Sequence, residues 1–385
     1  FLHWYPARTS LQEYPTPDGF IRFETAQGPG WSPTGRFEDP RSWPYGPLPE
    51  DWASYEGLYT RGDTVVFSYR VGETAVLEMP AFERVGRRPV FTRTIEMGPH
   101  EESLALRVVE APEGSAASLE RVSVGDAGGY VRIEAGGERR LIGFRGLSQE
   151  SSWRLEHRHL ILELPATSAP RRFALHVGPV RSGSETAFME DRIAGAESLP
   201  NLQQLRRPGP AKWEPVRTRA KTAAEPAEQR GPFAVDDLTL PVPNPWNSYL
   251  RLTGIDFLSD GRAVVSSLSG DVWVVSGIQG TLDSLTWKRY AAGLYQPLGV
   301  EVVDDTIYVT GRDQITRLHD RNGDGEADYY ESFNNEVMAS RNFHAFVMNL
   351  ETDSEGNFYF SKSTPWPPYL GGHGPPRNAE ETPEV

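Results

Sequence analysis

The feature that most constrains this chain is a segment that occurs three times in its second half. Residues 254–266, GIDFLSDGRAVVS, are echoed by 299–310, GVEVVDDTIYVT, and again by 349–361, NLETDSEGNFYFS, at offsets of 45 and 50 residues. Each copy reads as a strand, an acidic turn and a second strand. A strand pair cannot bury both its faces alone, and repetition at this period with several strands per unit predicts stacked propeller blades. Asp271-Val272-Trp273-Val274-Val275 supplies a third strand to the first blade, and Gln314-Ile315-Thr316-Arg317-Leu318 does the same for the second. About three blades fit between residue 233 and the C-terminus, whereas radial closure takes about four to eight. Either further sequence completes a truncated propeller, which is the favoured reading, or the strands form an open sheet packed on the first domain. Phe1-Leu2-His3-Trp4 has neither an initiating Met nor the order of a signal peptide, so the chain reads as a piece of a longer precursor.

The first 180 residues carry strand signals of another kind. Thr64–Tyr69, Ala75–Met79, Leu104–Val109, Tyr130–Ile133 and Leu160–Leu164 are short, β-branched or aromatic runs bounded by Gly, Pro or Asp. They predict an antiparallel, sandwich-like domain. Residues 1–59 hold four Trp (Trp4, Trp31, Trp43, Trp52) among many Pro and Gly, which suits irregular backbone ordered by aromatic burial. Behind Ser184, the spacing of Phe188, Met189, Ile193 and Ala196 predicts a short helix. Residues 208–232 have the Pro, Ala and alternating charge of a semi-extended linker. The chain is therefore expected to be all-β: an N-terminal β-sandwich-like domain over 1–183, a short helix and linker over 184–232, and the first blades of a β-propeller over 233–385.

Composition removes several functions. With no cysteine there is no disulfide, thiolate zinc site or cysteine nucleophile, and no covalently attached c-type haem in these residues. Against 39 basic side chains stand 53 acidic ones, a net charge of −14, and no basic run exceeds two residues, so nucleic acid is a poor partner. No apolar stretch approaches the ~18–20 residues that span a bilayer, so no transmembrane segment is expected. Signatures of serine hydrolases, P-loop nucleotide binding and zinc proteases are absent.

The strongest chemical motif is DRNGDGEADYYE, residues 320–331. It fits the twelve-residue calcium loop, with Asp320, Asn322 and Asp324 at positions one, three and five, Gly325 at six, the Glu326 carbonyl at seven, Asp328 at nine and Glu331 at twelve. Alternating oxygen ligands let a tight loop wrap one hard cation. Strand-like flanks put the loop on a β-hairpin, where Ca²⁺ would staple a blade, and the same run is also a good turn without metal. His344 lies ten to eleven residues before the turn Ser354-Glu355-Gly356, where an inner strand would face the central channel. Such a His can take the proton of an alcohol as hydride leaves, or can simply pack between Phe343 and Phe346. Arg341, Asn342, Lys362 and Arg312 could orient a polar substrate or a cofactor carboxylate, and each also suits an ordinary surface. The N-terminal aromatics could stack sugar rings. His157 and His159 alternate on what reads as one strand but lack a third metal ligand.

The stretches 233–246, 254–266, 287–299, 320–328 and 349–353 together resemble large multidomain bacterial proteins described as membrane-bound dehydrogenase-like, whose propeller is similar to that of glucose/sorbosone dehydrogenases. Gly57-Leu58-Tyr59 with residues 62–69 looks like the uncharacterised β module that precedes this propeller. The resemblance implies an exported, periplasmic or cell-surface protein, a propeller that holds pyrroloquinoline quinone (PQQ) with Ca²⁺, and a downstream c-type haem domain as electron acceptor. In the sugar dehydrogenases the base is a His followed by Gly-Gly and, some ten residues on, Asp-Gly; here Ala345-Phe346 and Glu355-Gly356 stand instead. Two readings follow. One is a quinone-dependent sugar or alcohol dehydrogenase with His344 as base; the other is a non-catalytic propeller with a structural calcium site that binds carbohydrate or protein.

Overall fold

The computed structural model describes residues 2–3, 16–17, 28–41, 47–85, 88–111, 118–124, 128–135, 138–178, 185–195, 198–221, 235–337 and 346–363. Apart from two short helices these residues are all-β. The chain divides into two compact units. The first comprises mainly the described residues between 28 and 207, and the second those from 208 onward. Short strands β1 (Leu2–His3) and β2 (Thr16–Pro17) open the chain.

In the first unit, β3 (Trp31–Ser32), β4 (Ala53–Arg61), β5 (Thr64–Val71), β6 (Thr74–Val85), β7 (Arg88–Met97), β8 (Leu104–Glu110), β9 (Ser118–Val124), β10 (Gly128–Ala135), β11 (Glu138–Arg145), β12 (Ser152–Glu156), β13 (His159–Leu164) and β14 (Arg171–Val177) form two antiparallel layers. One layer has the order β12-β13-β8-β3, and the other runs β4-β5-β6-β7-β14-β11-β10-β9. Alternation decides which side chains meet between them. Leu160, Leu162 and Leu164 stand with Leu104, Leu106 and Val108 from one layer against Ile95, Val131, Ile133, Ile142, Phe173 and Leu175 from the other. Two of the four N-terminal Trp enter a polar chain beside this core. Trp52 Nε1 donates to the Trp31 carbonyl at 2.8 Å, Trp31 Nε1 to Tyr69 Oη at 2.8 Å, and Tyr69 Oη to Glu78 Oε2 at 2.7 Å. Arg93 Nε completes the chain at 2.6 Å from Glu78 Oε1. Burial alone would push the Glu78 carboxyl up, but the Arg93 guanidinium overrides it and holds it below the usual range.

Helix α1 (Glu185–Gly195) covers the outer face of the larger layer, where Met189 and Ile193 pack on Tyr130 and Leu141. Gly143 leaves the room beneath it that the Met189 side chain fills, since a Cβ there would displace that side chain. Helix α2 (Leu202–Leu205) follows, capped by Asn201, so both helices belong to the first unit.

The second unit opens with β15 (Val216–Thr218), β16 (Ala220–Lys221) and β17 (Asp237–Leu238). Then come β18 (Leu252–Phe257), β19 (Ala263–Ser267), β20 (Asp271–Ser276) and β21 (Leu285–Ala291), an antiparallel meander of blade form. A second meander is β22 (Gly299–Val303), β23 (Thr306–Thr310), β24 (Ile315–His319) and β25 (Tyr329–Asn334), and the third repeat supplies β26 (Val347–Thr352) and β27 (Phe358–Lys362). Trp273 and Trp287 fill the first meander with Val265, Val275 and Leu285.

Neighbouring repeats are tied in register. Thr253 Oγ1 donates to the Pro297 carbonyl at 2.9 Å, Val302 N to Asp256 Oδ2 at 2.6 Å, and Ser259 N to Asp305 Oδ1 at 2.7 Å. Asn349 N reaches the Leu298 carbonyl at 3.4 Å, and Thr352 Oγ1 reaches Glu301 Oε1 at 2.6 Å. Partner numbers rise together, so the inner strands β18, β22 and β26 lie side by side and run the same way. At Gly299 a Cβ would collide with the backbone of Asn349.

Two sequence expectations differ from what is observed. Part of the expected linker is structured: β15 pairs with β21 as a fifth strand, and Trp287 Nε1 donates to Thr218 Oγ1 at 2.9 Å. An edge strand needs only backbone groups on one side, which Pro- and charge-rich composition conceals. His157 and His159 do not alternate on one strand. His157 and Arg158 form the turn between β12 and β13 with φ of 46° and 70°, a two-residue hairpin made without the usual Gly or Asn.

His176, on β14 beneath α1, is 3% exposed; its Nδ1 is 3.0 Å from Thr92 Oγ1 and its Nε2 has no partner among the described residues. Burial, with the nearby Arg145 charge, pushes its pKa from 6.5 down to about 4. The unfolded chain therefore binds the proton more readily, and stability contributed by neutral His176 is present above pH 6.5 and lost as pH falls toward 4. The loss is expected to approach about 3 kcal/mol. Melting curves between these pH values should show a flatter dependence in His176→Gln than in wild type; equal slopes would remove His176 as the cause.

Candidate functional site

Parallel inner strands give the second unit two distinct ends. At the starting end lie the segments that lead into β18, β22 and β26, with the turns 268–270 and 311–314. At the far end lie the acidic turns of the repeats and the loop 320–328.

The starting end is organised by Arg312. Its N–H donates to the Tyr295 carbonyl at 3.0 Å, its Nη1 donates to Gln296 Oε1 at 3.0 Å, and the residue is only 3% exposed. Its guanidinium carbon is 5.5 Å from the Tyr295 ring centroid and 5.4 Å from that of Phe346. A planar guanidinium suits this place because it can lie against rings and donate in its own plane. Gln296 reaches it from a backbone φ of 48°. Lys362 pairs with Val347 at the same end, where Phe346 N also donates to Ser363 Oγ at 2.8 Å. Arg312 and Lys362 thus share one end with the chain on either side of residues 338–345. His344, Arg341 and Asn342 lie outside the described residues. Two exposed rings join this end, Tyr249 at 65% with Arg251 beside it and Tyr295 at 43%. Sequence reading passed over Tyr249, Tyr295 and Gln296, although a Tyr stands four or five residues ahead of the repeat glycine in both of the first two copies.

The far end holds the six residues of the calcium pattern. Asp320 Oδ1 accepts N–H of Gly323 and Asp324 at 2.7 and 3.2 Å, and its Oδ2 accepts Gly325 N at 2.8 Å. Asp324 Oδ1 accepts Glu326 N at 3.0 Å, and Asn322 Nδ2 donates to Asp324 Oδ2 at 3.0 Å. Asp328 Oδ2 accepts Arg321 N at 3.0 Å; burial, with the charges of Asp324 and Asp320, raises its pKa. Gly323 and Gly325 take the left-handed φ of 75° and 84° that the tight loop demands. Glu331 stands apart on β25, gripped by Arg317 through bonds of 2.6 and 2.7 Å and placed 2.6 Å from His319 Nε2. Burial would raise the Glu331 carboxyl, and these two bases hold it below the usual range. Among the described residues no group of three or more His, Cys, Asp or Glu is arranged to hold a metal ion. With Glu331 turned to β24, the donor set does not fit the closed cage of six to eight oxygens that calcium takes.

Two cavities accompany these features. One of about 360 Å³ lies at the far end, lined by Arg262, Lys288, Tyr290, His319 and Asp320 among others. The other, about 1110 Å³, is a cleft in the first unit bordered by Asp51, Glu73, Glu101 and Glu102. His100 in that cleft faces the carbonyls of Gly98 and Pro165 at 3.2 and 3.1 Å, a packing role.

A family model described as a domain of unknown function (DUF6797) matches residues 1–78, the aromatic-rich start and first strands of the chain. No curated protein matches the sequence. No helix among the described residues is long and apolar enough to cross a membrane.

Arg312→Lys keeps the charge but loses the flat stack and the in-plane fork. Chemical denaturation is expected to show a loss of about 1–3 kcal/mol; unchanged stability would mean that Arg312 does not organise this end.

Proposed function

We propose that the second unit is the sugar- or alcohol-oxidising part of an extracytoplasmic, quinone-dependent dehydrogenase, with its site at the starting end of the inner strands. The observation that carries this reading is the gathering of Arg312, Lys362, Tyr249 and Tyr295 at that end, with Phe346, which packs on Arg312, two residues from His344. A buried guanidinium between aromatic rings has the chemistry to hold a flat, carboxylate-bearing group such as PQQ. Bound there, the quinone would supply the hydride acceptor, and a haem domain outside this chain would drain the electrons. Tyr249 and Tyr295 would lie against the CH faces of a pyranose and orient it. His344 would take the hydroxyl proton, the role for which a neutral imidazole is suited near pH 7.

A second reading, a non-catalytic glycan-binding propeller, is favoured by the exposure of the same two tyrosines and needs no base at 344. Dye reduction over a panel of sugars and alcohols, with and without PQQ, separates the two. Quinone-dependent turnover that falls by about 10²–10⁴-fold in His344→Ala is the expected result. Absence of turnover in folded protein, together with glycan binding that weakens in Tyr249→Ala, would replace oxidation by recognition.

A further inference from the structure

In the calcium-loop pattern the seventh position contributes only its backbone carbonyl, so the side chain of Glu326 has no part in a cage. Here that side chain is 7% exposed and fully engaged. Its Oε1 and Oε2 accept Lys212 N at 3.0 and 2.9 Å, and Oε1 accepts Trp213 N at 2.7 Å and Lys288 Nζ at 2.7 Å. Lys288 Nζ also donates to the Trp213 carbonyl at 2.5 Å. Asn322, the third position, donates through Nδ2 to the Gly209 carbonyl at 2.8 Å. The Trp213 ring then takes the Arg289 guanidinium at 4.9 Å, and Arg289 donates to the buried Asp271 through Nε at 3.2 Å and Nη2 at 2.5 Å. Every one of these groups belongs to the second unit.

We infer that the 320–331 loop is a metal-independent clasp that grips the backbone of residues 209–213, the stretch by which the chain enters the second unit. The loop is self-supporting: the Asp320 carboxylate ties three of its N–H groups. Glu326 accepts two successive backbone donors and one ammonium, so it reads the backbone of this irregular stretch and not a particular side chain. Glu331, instead of closing a cage, fastens β24 to β25 through Arg317.

The test uses the whole chain and trypsin, for which Lys212, Arg217, Arg219 and Lys221 offer cleavage points in the gripped stretch and in the β15–β16 segment that follows. Glu326→Gln is expected to speed cleavage there roughly tenfold, because opening governs attack and charge-assisted bonds are lost. Lys288→Met should act in the same direction. In wild type, millimolar Ca²⁺ and chelator are expected to give the same cleavage rate and the same melting temperature, a comparison that needs no variant to fold. Protection or a raised melting temperature with Ca²⁺, reversed by chelator, would overturn metal independence; an unchanged cleavage rate in both variants would overturn the clasp.

Discussion

The second unit depends on one recurring interaction, a carboxylate on one repeat that accepts a backbone N–H, or a hydroxyl, from a neighbouring repeat. Asp256 takes Val302 N, Asp305 takes Ser259 N, and Glu301 takes the Thr352 hydroxyl. Charge-assisted bonds of this sort are shorter and stronger than neutral ones, and they fix register as well as distance. Inner strands that pack only through small apolar side chains could slide by a residue; a carboxylate aimed at one amide cannot. The carboxylates of the inner strands and of the Asp305 turn are therefore a packing device before they are a charge reservoir.

This explains how much was legible in the sequence. The repeats could be read because the same register must be specified each time, so the apolar alternation, the turn and the acidic residue recur together. The sandwich core was equally open to reading at Leu104–Val109 and Leu160–Leu164, where alternate side chains all face inward. Other strands were hidden. Arg88–Met97 and Arg171–Val177 interleave charged residues such as Arg88, Glu96 and Arg172 with their core residues, and Val216–Thr218 is an edge strand paired with β21 through its backbone and the Trp287–Thr218 bond. The hairpin at His157-Arg158 gave no cue, because its left-handed turn contains neither Gly nor Asn.

The candidate site was legible only in part, for a different reason. Arg312 and Lys362 could be named from the sequence as cations near a repeat, but nothing local reveals that Gln296 and Tyr295, sixteen and seventeen residues earlier, would hold Arg312. Such partners are chosen by the return of the chain to the same end of the meander. The calcium pattern illustrates the opposite problem. Its spacing is complete in sequence, yet spacing does not specify which way a strand residue faces, and Glu331 faces Arg317 and His319.

The separation of the two ends has a consequence for how such a unit can change. Segments at the starting end join one meander to the next, and outside the contacts of Arg312 and the Thr253–Pro297 bond their length and chemistry are bounded by the strands they connect. At the far end, Glu326, Asn322, Asp305 and Asp353 fasten backbone to backbone and leave little freedom for substitution. Loops at one end can thus be exchanged while the fastening at the other stays as it is, so a family built on this plan could acquire new ligands by replacing the residues around Tyr249, Tyr295 and Phe346 without rebuilding its sheets.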